Sequence, residues 1–374
     1  MLDSLLADTR ALVECESPST DLAAVARCAE VVARVGAARL GQEPERIVLD
    51  GRTHLRWRFG AGPSRVLVLG HHDTVWPIGT LATIPYEVRG GVLRGPGCLD
   101  MKAGVAMAFH AIAALPDPDG ITLLVTGDEE LGSPSSRTLI EAEARGAAAA
   151  LVLEAAADGG GLKTERKGVS IYELIVAGRA AHAGLAPELG VNATVELAHQ
   201  VLRIAALTDP GAGTTVTPTL ARAGTTTNTV PAGARVAVDV RIRSLAEQRR
   251  VDDAMRSLTA VVPGAVLELT GGPNRAPLEA SASAVLFARA QTLAHSLGLP
   301  ALTATAVGGA SDGNLTAATG TPTLDGLGAV GGGAHAEDEH VLVDFLPGRT
   351  ALVGSLLAEL LSAAPSRPET TGAR

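Results

Sequence analysis

Residues 126–133 constrain the fold of this chain more than any other stretch. An apolar run over residues 121–125 leads into three successive acids, Asp128, Glu129 and Glu130, which lie between glycines. Such a run is typical of a buried strand, and α/β proteins bind ligands at the carboxyl ends of their strands. Neighbouring carboxylates repel one another unless a cation lies among them. The stretch therefore predicts a metal site, and a solvated acidic turn is the alternative.

The two adjacent glutamates suit different tasks. Neighbouring residues at the end of a strand point in different directions, so one of Glu129 and Glu130 can bind a metal ion while the other faces a water molecule. A ligand beside a base is the arrangement that metal-assisted hydrolysis requires. The pair therefore indicates a hydrolytic metal centre.

Two more apolar runs end in polar side chains. Residues 65–69 lead into Gly70, His71, His72 and Asp73. Residues two apart on a strand share a face, so His71 is a candidate ligand and Asp73 a candidate carboxylate to fix the tautomer of its ring. His72 points the other way and is interpreted as structural. Residues 150–153 end in Glu154, an isolated acid that needs a partner and is assigned to the metal.

A glycine-rich segment over residues 94–104 precedes an apolar helix predicted for residues 105–115. Its Asp100 either reaches the site, because the glycines let the backbone approach closely, or caps the helix. Cys98, in an apolar setting, fits a small buried residue better than a soft metal ligand.

Charge and composition exclude several classes of partner. The net charge of −9 argues against a surface for nucleic acid or anionic membrane, which needs clustered Lys and Arg. No apolar stretch is long enough to span a bilayer, and the first residues lack the basic segment of a signal peptide. Three scattered cysteines fit a reducing compartment. We therefore expect a cytoplasmic protein.

The middle of the chain has its own pattern. It predicts strands at residues 169–177, 214–221, 234–242 and 265–270, with helices at 192–206 and 245–261. This βαββαβ order is ferredoxin-like and indicates an insertion, residues 169–274, between two parts of a first domain, residues 1–168 and 275–374. In the first domain we expect helices at 2–13, 21–40 and 280–297, the second capped by Ser19 or Thr20, strands at 301–306 and 321–324, and a flexible loop at 326–333.

Eight motifs in a fixed order give the chain a family resemblance. They are GHHDTV (70–75), GPGCLDMK (95–102), GDEELGS (127–133), LE (153–154), GRAAHAG (178–184), NTVP (228–231), GGASDGN (308–314) and GAH (333–335). Together they resemble the M20 family of dinuclear zinc peptidases and amidohydrolases. The resemblance implies an α/β catalytic domain, with helices on both faces of a mixed sheet, and an inserted ferredoxin-like domain that acts as a lid and dimer surface.

The same resemblance implies roles for the residues of the site. His71 and Glu154 would bind one Zn²⁺ and Glu130 and His335 the other, with Asp100 bridging the two ions. Glu129 would be the general base, and Asp73 would orient His71. The ligands are oxygens and imidazoles, so Co²⁺ or Mn²⁺ are expected substitutes for the two Zn²⁺ ions of each subunit. His340 is a rival to His335, but only His335 follows the Gly-x-His pattern.

Further roles implied by the resemblance concern the insertion. His182 would reach into the active site of a partner subunit in a homodimer and stabilise the tetrahedral intermediate, and Asn228 would bind substrate. Arg275 resembles a family arginine that holds the free carboxylate of the substrate, a task that its planar fork suits. Each of these residues has an alternative without a function. His182 would be merely exposed, Asn228 would belong to a simple turn, and Arg275 would be a solvated linker residue.

The expected activity is hydrolysis of an amide bond next to a free carboxylate. Glu at position 154, HHDTV and SDGN resemble the glutamate carboxypeptidase-like branch, whose substrates would be small peptides or N-acyl amino acids. An N-acyl-amino-acid deacylase with the same metal machinery is the alternative enzyme. A metal-dependent module that binds a peptide without cleaving it is the non-enzymatic alternative, and the presence of Glu129 beside a ligand speaks against it.

Overall fold

The computed structural model describes residues 1–362, which divide into two compact units. Unit 1 contains Met1–Thr164, Ala280–Ala306 and the described residues from Ser311 onward. Unit 2 contains Glu165–Glu279 and Val307–Ala310. Among residues 1–362, every helix is too short or too polar to cross a membrane.

The helices and strands follow one another along both units. The helices are α1 (Leu2–Val13), α2 (Leu22–Leu40), α3 (Ala103–Ala113), α4 (Arg137–Ala144), α5 (Ala193–Ala205), α6 (Leu245–Arg256), α7 (Ala280–Ser296), α8 (Asp312–Ala318) and α9 (Leu346–Ser362). The strands are β1 (Glu45–Leu49), β2 (Arg52–Arg58), β3 (Val66–His71), β4 (Glu87–Arg89), β5 (Val92–Arg94), β6 (Ile121–Thr126), β7 (Ala149–Val152), β8 (Leu162–Arg166), β9 (Gly168–Ala177), β10 (Ala181–His182), β11 (Thr215–Ala223), β12 (Thr229–Val230), β13 (Gly233–Ile242), β14 (Val266–Arg275), β15 (Ala304–Val307), β16 (Thr323–Leu324), β17 (Gly331–Gly332) and β18 (His340–Leu342).

Unit 1 is built on a mixed six-stranded sheet in the order β1-β2-β6-β3-β7-β16. Strands β6, β3, β7 and β16 are parallel neighbours, and β1 and β2 add an antiparallel edge. Every residue of β3 is buried, because helices cover both faces of the sheet. Val66 and Val68 pack into the core that contains α3 and α9, whereas Leu67 and Leu69 pack against α4 and α8 on the other face.

The prediction of a flexible loop over residues 326–333 is wrong for the last residues of that range, which include a short strand. Gly331 and Gly332 form β17, which pairs with β18 in a second sheet of unit 1, ordered β17-β18-β5-β4. A Cβ atom on Gly331 would lie 1.9 Å from the His340 carbonyl oxygen, so the strand approaches its neighbour more closely than another residue would allow. Glycine is depleted in strands, and the sequence pattern therefore gave no signal for β17.

Unit 2 contains a four-stranded antiparallel sheet in the order β11-β13-β9-β14, with α5 following β9 and α6 following β13. This is the ferredoxin-like arrangement. Alternate residues of β13, including Val236, Val238 and Val240, are buried against Leu197 of α5 and Met255 of α6. The alternation predicted from the sequence thus produces the core of this unit.

Helix α6 ends at Arg256, earlier than the predicted end at residue 261, because a side chain holds the residues beyond it. The carboxylate of Glu196 accepts the backbone N–H groups of Val261 and Val262 at 2.9 and 2.6 Å. Burial raises the pKa of Glu196, but the hydrogen bonds from Val262, Gln200 and Val261 outweigh it, so this pKa lies below its usual value of 4.5. The charged carboxylate is therefore part of the folded state of unit 2.

Candidate active site

Three adjacent parallel strands deliver polar side chains to one edge of the unit 1 sheet. His71 is the last residue of β3, Glu129 and Glu130 form a short turn just beyond β6, and Glu154 follows β7. Because β3 lies between β6 and β7 with parallel register, the ends of these strands are neighbours. The sheet topology thus gathers residues that are far apart in sequence.

Two loops bring the remaining acid and imidazole to this edge. Asp100 lies in the segment before α3 and does not cap that helix, whose N-cap position is Lys102. His335 follows β17 and has a positive φ of 63°, an uncommon conformation for a residue other than glycine. Of the two roles considered for Asp100, the structure shows the one at the site: its side chain faces the histidines and does not cap the helix.

Asp100 lies between the two histidines. Its Oδ1 atom is 3.2 Å from Nε2 of His71, and its Oδ2 atom is 3.2 Å from Nε2 of His335. On the outer sides, Oε1 of Glu154 is 3.6 Å from His71 Nε2, and Oε2 of Glu130 is 3.2 Å from His335 Nε2. We refer to these five residues, His71, Asp100, Glu130, Glu154 and His335, as the five-residue cluster.

Glu129 lies beside the cluster. One potential ligand atom from each of His71, Glu129 and Glu154 lies within 4.8 Å of the others, and the same holds for His71, Asp100 and Glu130. His71 and Glu154 are almost fully buried, whereas the His335 side chain is 50% exposed. The cluster is therefore buried on the sheet side and accessible beside His335.

Asp73 braces the turn that carries the two glutamates. Its carboxylate accepts the backbone N–H groups of Glu129 and Glu130, each at 3.2 Å, and the Ser19 hydroxyl at 2.7 Å. The Nδ1 atom of His71 lies 3.0 Å from the Asp73 carbonyl oxygen and 3.4 Å from its carboxylate. The backbone of Asp73, rather than its carboxylate alone, thus contacts the ring of His71.

His72 has the structural role expected of it. Its ring is buried, and Nε2 lies 3.0 Å from the carbonyl oxygen of Thr53 on β2. His340 contacts the Asp338 carbonyl oxygen through Nδ1 at 2.8 Å, and it is not part of the groups of potential metal ligands found among residues 1–362. Cys98 is fully buried with a free thiol and also lies outside those groups.

The acids of the cluster outnumber its imidazoles, and each shifts the pKa of its neighbours. Hydrogen bonds to Asp100 and Glu130 raise the pKa of His335 to about 10. Burial raises the pKa of Asp100, but hydrogen bonds from His335 and His71 outweigh it and lower the pKa overall. Burial also raises the pKa of Glu130. Burial lowers the pKa of His71, but hydrogen bonds to Asp100, Asp73 and Glu154 outweigh it and raise this pKa overall. Without a metal ion, the acids therefore hold protons on both imidazoles.

The donor set fits a divalent metal ion. Imidazole nitrogens and carboxylate oxygens without a thiolate are ligands that suit zinc. The Oε1 atom of Glu130 is buried and has no hydrogen-bond partner, although buried carboxylate oxygens are normally paired. A cation among these acids would satisfy that oxygen and replace the protons on the histidines.

Two of the residues predicted from the insertion are neighbours in unit 2. His182 on β10 pairs with Thr229 on β12, and the Ala183 N–H group donates to the Asn228 carbonyl oxygen at 2.9 Å. His182 is exposed, and its Nδ1 atom accepts the N–H groups of Gly184 and Leu185, both at 3.1 Å. Nδ1 is thus an acceptor, which leaves the proton of the neutral ring on Nε2.

Arg275 is not a solvated linker residue. It is the last residue of β14 and only 4% exposed, and its carbonyl oxygen accepts the Gln248 side chain at 3.0 Å. Strand β14 continues beyond the predicted end at residue 270, which places Arg275 in the sheet of unit 2. A buried guanidinium at the end of a strand has a defined position, as carboxylate recognition requires.

Sequence reasoning missed two residues that form hydrogen bonds with segments of the site, Ser19 with Asp73 and Glu339 with the backbone of Asp100. Ser19 does not cap α2, because Asp21 does so through the Ala23 and Ala24 N–H groups, and the Ser19 hydroxyl donates to Asp73 instead. Glu339 is 1% exposed, although it follows two exposed acids at positions 337 and 338. The only local sign was an acidic run shortly after His335, and it does not tell which acid is buried.

Comparison with known protein sequences gives extended matches. A sequence profile of peptidase family M20/M25/M40 matches residues 67–359. Carboxypeptidase G2 from Pseudomonas sp. (strain RS-16) is 34% identical over 318 residues, which are 80% of this chain and 75% of that protein. Succinyl-diaminopimelate desuccinylase from Dechloromonas aromatica (strain RCB) is 28% identical over 349 residues, which are 87% of this chain and 91% of that protein.

Solved structures match along nearly the whole chain. Aminopeptidase PepT from Bacillus cereus superposes with a TM-score of 0.72 at 22% identity, covering 97% of this chain and 99% of that one. The M20 family metallo-carboxypeptidase Sso-CP2 from Sulfolobus solfataricus gives a TM-score of 0.70 at 16% identity, covering 96% and 98%. At these identities the structural likeness shows a shared fold.

Proposed function

The chain belongs to peptidase family M20/M25/M40, and from this premise we propose that it hydrolyses an amide bond next to a free carboxylate. It is an enzyme of the metallo-carboxypeptidase and amidohydrolase type, whose family uses a divalent metal, typically zinc. The proposed substrates are small peptides or N-acyl amino acids, with C-terminal glutamate as the first residue to test. The observation that carries the proposal is the position of Asp100 between two histidines, with Glu129 beside them.

We assign the five-residue cluster to two divalent ions per subunit. His71 and Glu154 would hold one ion, and Glu130 and His335 would hold the other. Asp100 would be a ligand of both ions. The distances of 3.2 Å from the two Asp100 oxygens to different histidines support this division. Bound divalent cations would lower the pKa of water and polarise the amide carbonyl.

The residues of the chain supply the proton transfers. Glu129 takes a proton from the attacking water and passes it to the leaving amine, as a general base that then acts as a general acid. The Asp73 carboxylate accepts the backbone N–H group of Glu129 and so holds Glu129 in place. The carbonyl oxygen of Asp73 fixes the ring of His71. The Nε2–H of His182 is the proposed donor to the developing oxyanion, contributed across a homodimer formed through unit 2.

Substrate recognition is proposed to involve unit 2. We assign the free carboxylate of the substrate to Arg275 and a polar contact to Asn228. The buried position of Arg275 supports this role, because a fixed guanidinium binds a carboxylate through two parallel hydrogen bonds. We further propose that unit 2 acts as the lid of the catalytic unit and that the protein works in the cytoplasm.

An N-acyl-amino-acid deacylase is the second candidate. The match to succinyl-diaminopimelate desuccinylase over 87% of this chain favours it, because that name describes removal of an acyl group from an amino compound. Both candidates use the same cluster and the same base. They differ in which half of the substrate is recognised.

A substrate panel with a base variant tests the proposal. Zinc-loaded protein is assayed on dipeptides and N-acyl-glutamates in which the acyl half and the amino-acid half are varied in turn. Strong dependence of kcat/KM on the amino-acid half supports the carboxypeptidase, and dependence on the acyl half supports the deacylase. Glu129→Gln should lower kcat by about 10²–10⁴-fold with zinc content retained. The control Glu87→Gln, at an exposed strand position, should change neither; absence of hydrolysis across the panel would refute the proposed activity.

A further inference from the structure

The buried carboxylate of Glu339 accepts four N–H groups. Its Oε1 atom accepts the backbone N–H groups of Leu99 and Asp100 at 2.8 and 3.1 Å. Its Oε2 atom accepts the backbone N–H group of Gly97 at 2.9 Å and the indole N–H group of Trp76 at 2.8 Å. The carboxylate therefore uses both oxygens fully and has no need of a further donor.

The four donors come from two segments that also carry metal-ligand candidates. Trp76 follows His71 on the chain that leaves β3, and residues 97–100 lead directly to the Asp100 side chain. Glu339 itself lies four positions after His335, in a turn closed by the Glu339 N–H group and the Ala336 carbonyl oxygen at 2.9 Å. One carboxylate thus joins the segments of His71, Asp100 and His335.

The Asp100 segment needs such a partner. Asp100 has φ −113° and ψ 91°, and Met101 has φ −136° and ψ 36°, so a regular helix does not run through them. The segment begins directly after Gly97, and the first N–H groups of a helical segment have no acceptor within it, so the buried N–H groups of Leu99 and Asp100 need another partner. Glu339 supplies the acceptor for both groups.

We propose that Glu339 is a positioning residue that holds Asp100 between His71 and His335, so that each of its two oxygens faces a different histidine and would be available to a different metal ion. This inference rests on the proposed function, because it assumes metal ions in the cluster. Glu339 acts through the backbone of Asp100, because both of its oxygens already accept N–H groups. A glutamine would place an NH₂ group against a backbone N–H group, and an aspartate is one methylene shorter.

The chain offers a matched control for this role. Glu196 in unit 2 is also fully buried and accepts two backbone N–H groups, from Val261 and Val262. It has the same chemistry as Glu339 but braces a segment without metal-ligand candidates. Glu196→Gln therefore reports the structural cost of losing such a carboxylate.

The test measures zinc affinity and kinetics of the zinc-loaded full chain. Wild type, Glu339→Gln and Glu196→Gln are compared by competition with a chromophoric zinc chelator, by kcat and KM, and by the urea midpoint of unfolding. Mutation of a residue that hydrogen-bonds to a metal ligand typically lowers metal affinity or activity by about 10–100-fold. Glu339→Gln should weaken binding of zinc by about 10–100-fold and lower kcat more than it raises KM. Glu196→Gln should lower the unfolding midpoint but leave zinc affinity within about twofold.

Trp76→Phe keeps the test decisive if Glu339→Gln does not fold. It removes one of the four donors and should weaken zinc binding by about two- to fivefold, a smaller effect of the same sign. Unchanged zinc affinity in Glu339→Gln, or in Trp76→Phe when the first variant is unfolded, overturns the positioning role. Absence of zinc binding by the wild-type chain would instead refute the proposed function, so the two failures are distinguishable.

Discussion

Replacement of Gly104 by alanine should disturb the site through the backbone of Glu154. Gly104 is the second residue of α3, and a Cβ atom there would lie 2.2 Å from the carbonyl oxygen of Leu153. Gly328 also lies close to this oxygen, and a Cβ atom there would lie 2.1 Å from it. The carbonyl group of Leu153 is therefore in close contact with two glycines, and this tight packing leaves it little room to shift away from a Cβ atom at position 104.

The size of the effect follows from these distances. Relief of the contact requires a shift of about 1 Å, because the interior is close-packed and the nearest atom is backbone. Metal–ligand distances tolerate only about 0.2 Å, and a misplacement of about 1 Å can cost about 10²-fold in rate. Overpacking lowers the free energy of unfolding by about 1–3 kcal/mol. The better helix propensity of alanine raises it by about 1 kcal/mol and so offsets part of this loss. We therefore expect a large loss of activity with a net loss of stability of at most about 2 kcal/mol.

The assay compares Gly104→Ala with Gly354→Ala. Gly354 lies in the interior of α9, and its Cβ atom would meet the nearest atom, the Ala111 carbonyl oxygen, at 3.6 Å, an ordinary contact. This control should stabilise the protein by about 0.4–1 kcal/mol and leave kcat/KM unchanged. Gly104→Ala should lower kcat/KM about 100-fold and weaken zinc retention. If Gly104→Ala keeps zinc affinity and kcat/KM within twofold of wild type, the reasoning is refuted.

Three further predictions concern unit 2. Mixing Glu129→Ala with His182→Ala protomers should restore part of the activity if His182 acts across a dimer; no recovery in heterodimers verified by mass would remove that assignment. Arg275→Lys should raise KM about tenfold for substrates with a free carboxylate but not for the corresponding amides, because the bidentate contact is lost; an equal rise for both would speak against the carboxylate contact. Glu196 has a lowered pKa in the folded state, so its contribution to stability is present above about pH 4.5 and is lost as pH falls through that pKa. Glu196→Gln should therefore show a smaller drop in unfolding midpoint between pH 7 and pH 3, and equal drops in both proteins would contradict this account.

The fold class was predictable because its signals are local in sequence. Buried strands such as β3 and β6 read as continuous apolar runs, and the alternation along β13 indicates a sheet with one covered face. The mixed α/β unit and the ferredoxin-like unit are confirmed, and the structures that superpose on the chain share the fold. The metal-ligand candidates at strand ends were identifiable because each lies at or just after the end of a buried strand, and parallel strands end at one edge of the sheet.

The remaining features depend on contacts that have no local pattern. Ser19 and Asp21 are both good capping residues, and the choice between them depends on Asp73, which is distant in sequence. The end of α6 depends on Glu196, which belongs to another helix. Likewise Glu339 differs from its acidic neighbours in that it accepts the backbone N–H groups of Leu99 and Asp100, which belong to a loop remote in sequence. Long-range pairing of polar groups, rather than hydrophobic periodicity, decides each of these cases.

The most direct measurement is the anomalous scattering of zinc in crystals of the zinc-loaded protein. Our account predicts two zinc peaks in each subunit, one bound by His71 and Glu154 and the other by Glu130 and His335, with Asp100 bound to both at about 2.0–2.2 Å. Zinc bound elsewhere, or a cluster that stays free of metal at saturating zinc, would contradict it.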